Sequence, residues 1–345
     1  MKKMLALLLA LVMVLSLAAC ASSQPAAAST ETAETTETTE PAAGESAEAP
    51  AESGKTYTVG VCQLVQHEAL DAATQGFIDA LKEELGDAVT VDVQNASGDS
   101  VNCGTIVNGF VSKGVDLIMA NATPALTAAV SATADIPILG TSITAYGVAL
   151  DIDDFNGTVG GNVSGTSDLA DLQAQAQMIL DWFPETKTVG LLFCSAEPNS
   201  RYQIDEVRKV LEAQGVTCEE FAFTDSNDVS SVTQKAADFS DVVYIPTDNT
   251  AASNTEAIAN VLIPAGVPAV CGEEGLCRGC GVATLSISYY DLGVTTGKMA
   301  AKILKGEADI STMPVEYTDA TPKYNASVCG QLGITPLDGY EAIDG

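Results

Sequence analysis

Short apolar segments alternate with amphipathic segments along most of this 345-residue chain, and this alternation limits the fold more than any other feature. The short segments are apolar throughout, whereas the longer ones place their apolar residues on one helical face. Apolar strands separated by helices are typical of a parallel sheet covered on both faces, with right-handed crossovers. The first series predicts strands at Tyr57–Cys62, Val89–Val93, Asp116–Ala120 and Ile136–Leu139, and helices at Glu68–Leu85, Val101–Val111 and Pro124–Ala132.

A second series of similar length follows an irregular stretch, residues 141–166, that is rich in Gly, Asn and Thr. Two such series predict an α/β fold of two doubly wound, Rossmann-like lobes joined by a hinge. We expect an N-terminal lobe of residues 55–165 plus about 284–312, and a C-terminal lobe of residues 166–283 plus about 313–345. The second series predicts helices at Asp168–Trp182, Tyr202–Gln214, Val229–Asp238, Thr255–Ala265 and Asp291–Lys305, and strands at Thr188–Phe193, Thr217–Phe223, Val242–Ile245, Val267–Val270 and Ala283–Ser286.

The N-terminal segment has the features of an export signal. Lys2 and Lys3 precede an apolar run from Met4 to Leu17, and small residues lead to Cys20. The ending Leu-Ala-Ala-Cys resembles a bacterial lipobox, in which the cysteine is lipidated; the alternative is an ordinary signal peptide with a chance cysteine. Residues 1–20 are therefore predicted to be a lipoprotein signal, and residues 21–54 a disordered acidic tether. A long tether favours the surface of a Gram-positive cell over a periplasm.

Composition and motifs exclude several classes of protein. The formal net charge of −31 leaves no basic surface for a nucleic acid. The chain has a single histidine, His67, and lacks the motifs of serine hydrolases, zinc proteases and P-loop enzymes, so we expect neither an enzyme nor a cofactor. Cys277 and Cys280 have the spacing of a redox or metal site. Without a second such pair or a neighbouring histidine, we expect no metal.

Polar residues that follow the predicted strands are candidates for a binding site, since ligands lie beyond the carboxyl ends of strands in doubly wound sheets. Thr123 and Ser167 are expected to cap helices whose free N–H groups would suit a carboxylate. Asp248 and Glu273 offer carboxylates for an ammonium group, with Asp248 as the favoured partner. Together these groups indicate a clamp for an amino acid. The remaining candidates at strand ends are Gln63, His67, Asp168, Glu197, Asn199 and Asn249.

Several of these segments together resemble the tryptophan-type substrate-binding proteins of ABC transporters, in order from about Tyr57 to Thr335. The resemblance rests on the segments Gln63-Leu-Val-Gln-His-Glu-Ala-Leu-Asp71, Ala122-Thr-Pro-Ala125, Asn162-Val-Ser-Gly-Thr-Ser-Asp-Leu169, Tyr244-Ile-Pro-Thr-Asp-Asn249, Gly272-Glu-Glu-Gly-Leu276 and Ala283-Thr-Leu-Ser-Ile287. It implies a type I periplasmic-binding-protein fold that closes on a small solute, as a monomer, and delivers it to a permease driven by cytoplasmic ATPases.

The resemblance also implies the ligand class and the contacts. Characterised members take aromatic amino acids. By position, the ligand contacts would be Thr123, Ser167, Asp168, Glu197, Asn199, Asp248, Asn249 and Glu273, with Gln63 and His67 at the mouth. The segment Cys194-Ser-Ala-Glu-Pro198 and the pair of Cys277 and Cys280 depart from the family pattern. A sugar or nucleoside receptor of the same fold is the alternative; its ring-stacking aromatics are not evident, because the only tryptophan, Trp182, is predicted to be core.

Overall fold

A computed structural model describes residues 54–343, which form two α/β lobes. The predictions for the signal segment and for nearly all of the tether lie outside the described residues. Each lobe contains one sheet in which most strands are parallel, and in each sheet the first two strands along the chain lie at one edge. This is the doubly wound arrangement that the alternating pattern predicts. None of the helices within residues 54–343 has the length and apolar character needed to cross a membrane.

The N-terminal lobe is built on a six-stranded sheet with the order β11-β5-β4-β3-β1-β2. Apolar residues on both faces of this sheet are buried under helices. The strands are β1 (Tyr57–Gln63), β2 (Val89–Asn95), β3 (Leu117–Asn121), β4 (Ile138–Ile143), β5 (Val163–Ser167) and β11 (Glu316–Tyr317); the helices are α1 (Glu68–Leu85), α2 (Ser100–Lys113), α3 (Thr123–Ala132), α4 (Tyr146–Ala149) and α11 (Tyr289–Lys305), with 3₁₀ turns at Gly86–Ala88 and Ile310–Thr312.

The C-terminal lobe is built on a seven-stranded sheet with the order β13-β12-β10-β9-β8-β6-β7. Strand β12 runs antiparallel to β10, and the other pairs are parallel. The strands are β6 (Thr188–Cys194), β7 (Thr217–Phe223), β8 (Val242–Ile245), β9 (Ala269–Cys271), β10 (Ala283–Ser286), β12 (Thr321–Tyr324) and β13 (Glu341–Ala342); the helices are α5 (Leu172–Trp182), α6 (Pro198–Ala213), α7 (Val229–Phe239), α8 (Asn249–Ala252), α9 (Thr255–Ala265), α10 (Glu274–Cys280) and α12 (Ala326–Leu332).

The chain passes between the two sheets three times, after Ser167, after Ser286 and after Tyr317. Each crossing lies two to five residues after the corresponding lobe boundary that was predicted from the sequence. Strand β10 belongs to the C-terminal sheet because it pairs with β9 and β12, and β11 belongs to the N-terminal sheet because it pairs with β5. Three neighbouring crossings form a hinge, which places the space between the lobes at the carboxyl ends of both sheets.

Helix α11 returns to the N-terminal lobe because two glycines allow it to pack closely on α1. A Cβ atom at Gly293 would lie 2.0 Å from the carbonyl oxygen of Ala73, and one at Gly76 would lie 2.1 Å from that of Tyr290. Any side chain at these positions would therefore push the two helices apart. The contact fixes the start of α11, and with it Tyr289, at the hinge.

Two of the helix caps predicted from the sequence are wrong. Helix α3 begins at Thr123 itself; its N-cap is Ala122, at a φ of 89°, and no cap hydrogen bond from a side chain forms there among the described residues. Helix α5 begins at Leu172 rather than at Asp168, because the side chain of Asp171 accepts hydrogen bonds from the N–H groups of Gln173 and Ala174. Ser167 instead ends strand β5.

The cysteines and the tryptophan are largely interior residues. All eight cysteines in residues 54–343 are free thiols, and all but Cys218 are buried. Cys277 and Cys280 lie within helix α10, and no cluster of three potential metal ligands occurs in the described part of the chain. Trp182 packs in the C-terminal core, as predicted. Most of the cysteines therefore act as small apolar residues of the core.

Candidate functional site

Six of the ten predicted site residues meet around one small cavity between the lobes. The cavity has a volume of about 10 Å³, which is room for about one water molecule. Loops after β1, β4, β5, β6, β8, β9 and β10 contribute to its wall, in agreement with the rule for strand ends. Its lining consists of His67, Leu70, Ser142, Thr144, Asp168, Asn199, Thr247, Asp248, Asn249, Ala252, Glu273 and Tyr289.

The other four predicted residues are buried but do not line this cavity. Gln63 joins β1 to α1: it donates to the carboxylate of Asp71 over 2.7 Å and accepts from Thr74 over 2.7 Å. The hydroxyl of Ser167 donates to the carbonyl of Thr144 over 3.0 Å. Thr123 lies at the start of α3. Glu197 lies behind Asn249, with which it forms hydrogen bonds. Ser167 and Glu197 thus hold residues that line the cavity, and the predicted contact of all four residues with a ligand stays a prediction.

Three carboxylates line the cavity, and two of them are already used as helix caps. Asp248 accepts hydrogen bonds from the N–H groups of Cys194 over 2.6 Å and Ala251 over 2.8 Å, one to each oxygen. Both oxygens of Glu273 accept from N–H groups in the first turn of α10. Such carboxylates hold the local backbone.

Asp168 is different from these two carboxylates. Its Oδ2 accepts from the hydroxyl of Tyr289 over 3.0 Å, but its Oδ1 has no hydrogen bond of regular geometry within residues 54–343; the nearby hydroxyl of Thr144 only lowers the pKa of this carboxylate. The side chain is only 5 % exposed. A buried carboxylate oxygen without a partner is costly, so it marks a place where a donor is expected to bind.

Burial makes the cavity unfavourable for negative charge. It raises the pKa of Asp168 to about 6 and that of Glu273 to about 7. The pKa of Asp248 rises to about 8, through burial and the neighbouring charge of Glu197. Burial also lowers the pKa of His67, which keeps its imidazole neutral at neutral pH. A bound cation would offset the cost of ionising these carboxylates, whereas a bound anion would add to it.

Two further buried polar atoms at the cavity lack partners in the described part of the chain: Oγ of Ser142 and Oδ1 of Asn199. Together with Oδ1 of Asp168, the set has two oxygens that only accept hydrogen bonds, on Asp168 and Asn199, and one hydroxyl, on Ser142. Ser142 lies in the N-terminal lobe, Asn199 in the C-terminal lobe and Asp168 at the hinge. An ammonium group carries three donors and matches this set. Ser142 and Tyr289 were not among the predicted residues. The only signal for Ser142 in the sequence is its place three residues after the fourth predicted strand, Ile136–Leu139; in the structure it lies within β4, with a φ of 56°.

Comparisons with known proteins identify the family. The family model for the ABC transporter substrate binding protein matches residues 58–339. The chain belongs to this family of substrate-binding proteins. It is 32 % identical over 276 residues to a tyrosine-binding protein of Clostridioides difficile, covering 78 % of this chain and 79 % of that protein. The relationship spans both lobes, so it concerns the whole receptor.

Two solved structures allow the arrangement of the lobes to be compared. An ABC domain from Streptococcus pneumonia in complex with L-Trp is 32 % identical, with 84 % of this chain and all of that one covered, and superposes with a TM-score of 0.79. A ligand-free, open substrate binding protein from Clostridium difficile is also 32 % identical in sequence, with 84 % of this chain and 99 % of that chain covered. Its TM-score is lower, at 0.64. The lobes of this substrate-binding protein are thus arranged more like those of the L-Trp complex, and the predicted two-lobed fold is confirmed.

Among the described residues, polar contacts from the start of α1 join the two lobes next to the cavity. Nε2 of His67 lies 3.2 Å from Oδ1 of Asn249. One residue further along the chain, both carboxylate oxygens of Glu68 accept from Nε of Arg278, each over 3.1 Å. The start of α1 therefore touches α8 and α10 of the opposite lobe, and two of the residues in contact, His67 and Asn249, line the cavity.

Proposed function

We propose that this receptor binds an aromatic amino acid and delivers it to the permease of an ABC importer. The observation that carries the proposal is a set of three buried polar atoms, on Ser142, Asp168 and Asn199, that have no hydrogen-bond partner among the described residues. All three residues line a space of about the size of an ammonium group, and the three atoms can accept its hydrogen bonds. In this proposal Asp168, rather than Asp248, is the charged partner of the ligand ammonium.

The aromatic class is supported by relatives that share about a third of the sequence. One is named a tyrosine-binding protein, and another was crystallised with L-Trp. A sugar or nucleoside has no cation, and it would leave the charge of the buried carboxylates uncompensated. The carboxylates at the cavity therefore favour an amino acid over these neutral ligands.

A screen of ligands with the chain from residue 21 onward tests the proposed function. We expect L-Tyr or L-Trp to raise the melting temperature, since a ligand at about 100 times its Kd adds roughly 2.7 kcal/mol of stability. Isothermal titration calorimetry should then show that 3-(4-hydroxyphenyl)propanoate, which is tyrosine without the ammonium group, binds at least 100-fold more weakly. The absence of stabilisation by every amino acid would reject the ligand class. Equal binding of the compound without the ammonium group would reject the ammonium site alone.

We also propose that the receptor is held at the outer face of the cell membrane by a lipid on Cys20, within reach of its permease. The lipobox-like sequence before Cys20 supports this proposal. Replacement of Cys20 by serine is expected to move the protein from the membrane fraction to the soluble fraction. It should also abolish metabolic labelling by an alkyne fatty acid, whereas Cys218→Ser should keep the label. Retention of the label by Cys20→Ser would exclude this anchor.

A further inference from the structure

A second cavity lies between the lobes on the other side of Asn249, which lines both cavities. Its volume is about 240 Å³, compared with about 10 Å³ for the cavity at the hinge. The N-terminal lobe contributes Leu64, Val65 and the loop at residues 97–100, and the C-terminal lobe contributes Cys194 and the loop at residues 224–226. The two cavities are thus successive spaces along one cleft.

Asn249, the residue that lines both cavities, makes a polar contact with the opposite lobe. Its Oδ1 lies 3.2 Å from Nε2 of His67, which lines only the smaller cavity. Asn249 is held from behind, because its Nδ2 donates to the carboxylate of Glu197 over 2.7 Å. His67 belongs to the N-terminal lobe and Asn249 to the C-terminal lobe, so a slight opening of the hinge separates them. An elongated ligand can then occupy both cavities at once.

The second cavity has the size and chemistry for an uncharged ring. A cavity of roughly 150 Å³ accommodates benzene in another protein, so about 240 Å³ leaves room for a ring with a substituent. Leu64, Val65 and Pro124 give it apolar walls, while Ser97 and Ser226 add hydroxyl groups. Asp99, Asp225 and Glu197 also line it, and none of its described lining residues is a lysine or an arginine. An acidic side chain would be repelled there.

We propose that this second cavity is the subsite for the ligand's side chain, and that it prefers a ring with a hydrogen-bond donor, a phenol or an indole, over an unsubstituted phenyl ring. The inference rests on the proposed function, because it assumes that the ammonium group occupies the cavity at the hinge. That cavity holds an ammonium group but no ring, so the ring must extend past Asn249. The acceptors of Asp99, Asp225 and the hydroxyl groups then distinguish tyrosine and tryptophan from phenylalanine.

A photoaffinity experiment tests the position of the ring directly. L-4-azidophenylalanine, whose binding is first measured by calorimetry, is irradiated with the full mature chain, and the adducts are located by peptide mass spectrometry. We expect adducts in peptides that contain Leu64–Val65, residues 97–100, residues 194–196 or residues 224–226. Adducts confined to Leu70, Ser142 or Tyr289, which line the cavity at the hinge, would overturn the proposal.

A substitution that fills the second cavity gives an independent result. Val65→Trp is expected to weaken the binding of L-Tyr at least tenfold with an unchanged melting temperature, whereas Val101→Trp, at a position that is 74 % exposed on α2, should bind like the unmodified chain. The unmodified chain should bind L-Tyr at least fivefold more tightly than L-Phe. Unaltered binding by Val65→Trp, with the variant folded, would reject the subsite. If the unmodified chain binds no aromatic amino acid at all, it is the proposed function that fails.

Discussion

Replacement of Asp168 by asparagine should weaken the binding of the ligand by roughly 30- to 4000-fold, equivalent to about 2–5 kcal/mol. The asparagine keeps the shape of the side chain and still has an oxygen that can accept from the hydroxyl of Tyr289. It loses the negative charge that we assign to the ligand ammonium, in a buried place where water cannot replace that charge. Calorimetry at pH 8, where Asp168 is ionised, measures the effect.

The matched control for this substitution is Asp153→Asn, which removes one negative charge from an exposed position in the loop after α4. It should leave the affinity unchanged, because exposed charges are screened by water and salt. A melting curve of Asp168→Asn shows whether the variant folds. If the folded variant binds the ligand as tightly as the unmodified chain, Asp168 is not the partner of the ammonium group.

The pH profile of binding provides a second readout of the same pair. The pKa of Asp168 is raised to about 6, so below that pH a proton competes with the ligand for the carboxylate. The affinity of the unmodified chain should therefore fall about tenfold between pH 7 and pH 5. Glu273 and Asp248 face the same cavity with raised pKa values and add to this dependence. The difference between the pH dependence of the affinity of the unmodified chain and that of Asp168→Asn gives the contribution of Asp168.

The alternation of strands and helices could be predicted from the sequence because it depends on local patterns. Helix α1 and strands β7, β8 and β10 have the predicted bounds. Strand β5 could not be predicted, since its sequence, Val-Ser-Gly-Thr-Ser, is polar although all of it is buried. Its polar atoms are satisfied by residues far along the chain: the hydroxyl of Thr166 lies 3.1 Å from that of Thr141 and 2.9 Å from that of Thr296. No local pattern contains these partners.

The site was predictable as a location but not in the roles of its residues. The rule for strand ends selected His67, Asn199 and Asn249 among the residues that line the cavity. It could not distinguish Asp168 from Asp248, because both are aspartates after strands. The difference arises from the backbone: α8 begins directly after Asp248, which becomes its cap, whereas α5 begins four residues after Asp168. That distance leaves Oδ1 of Asp168 without a partner among the described residues.

Replacement of Glu197 by alanine should lower the free energy of unfolding by about 3–4 kcal/mol, a larger loss than most single substitutions cause. The carboxylate is 4 % exposed and accepts from both nitrogens of Asn249, from the N–H and hydroxyl of Thr250, and from Nδ2 of Asn199. Alanine would leave the donors of Asn249 and Thr250 without this acceptor, at a cost of roughly 1–3 kcal/mol each before relaxation, whereas Nδ2 of Asn199 keeps the carbonyl of Thr247 and the hydroxyl of Ser200 as acceptors. Unfolding in urea, followed by circular dichroism, measures the change.

Two controls separate this network from a general effect of removing a carboxylate. Glu197→Gln keeps one acceptor oxygen and should lose less stability than Glu197→Ala, whereas Glu219→Ala, at an exposed position of β7, should change stability by less than about 0.5 kcal/mol. Because Glu197 positions Asn249 and Asn199, which line the cavity, the alanine variant should also bind the ligand more weakly in the temperature range where it is still folded. Equal stability of Glu197→Ala and the unmodified chain would mean that α8 is held by its packing and by the Asp248 cap alone, and the position of Asn249 would then need another explanation.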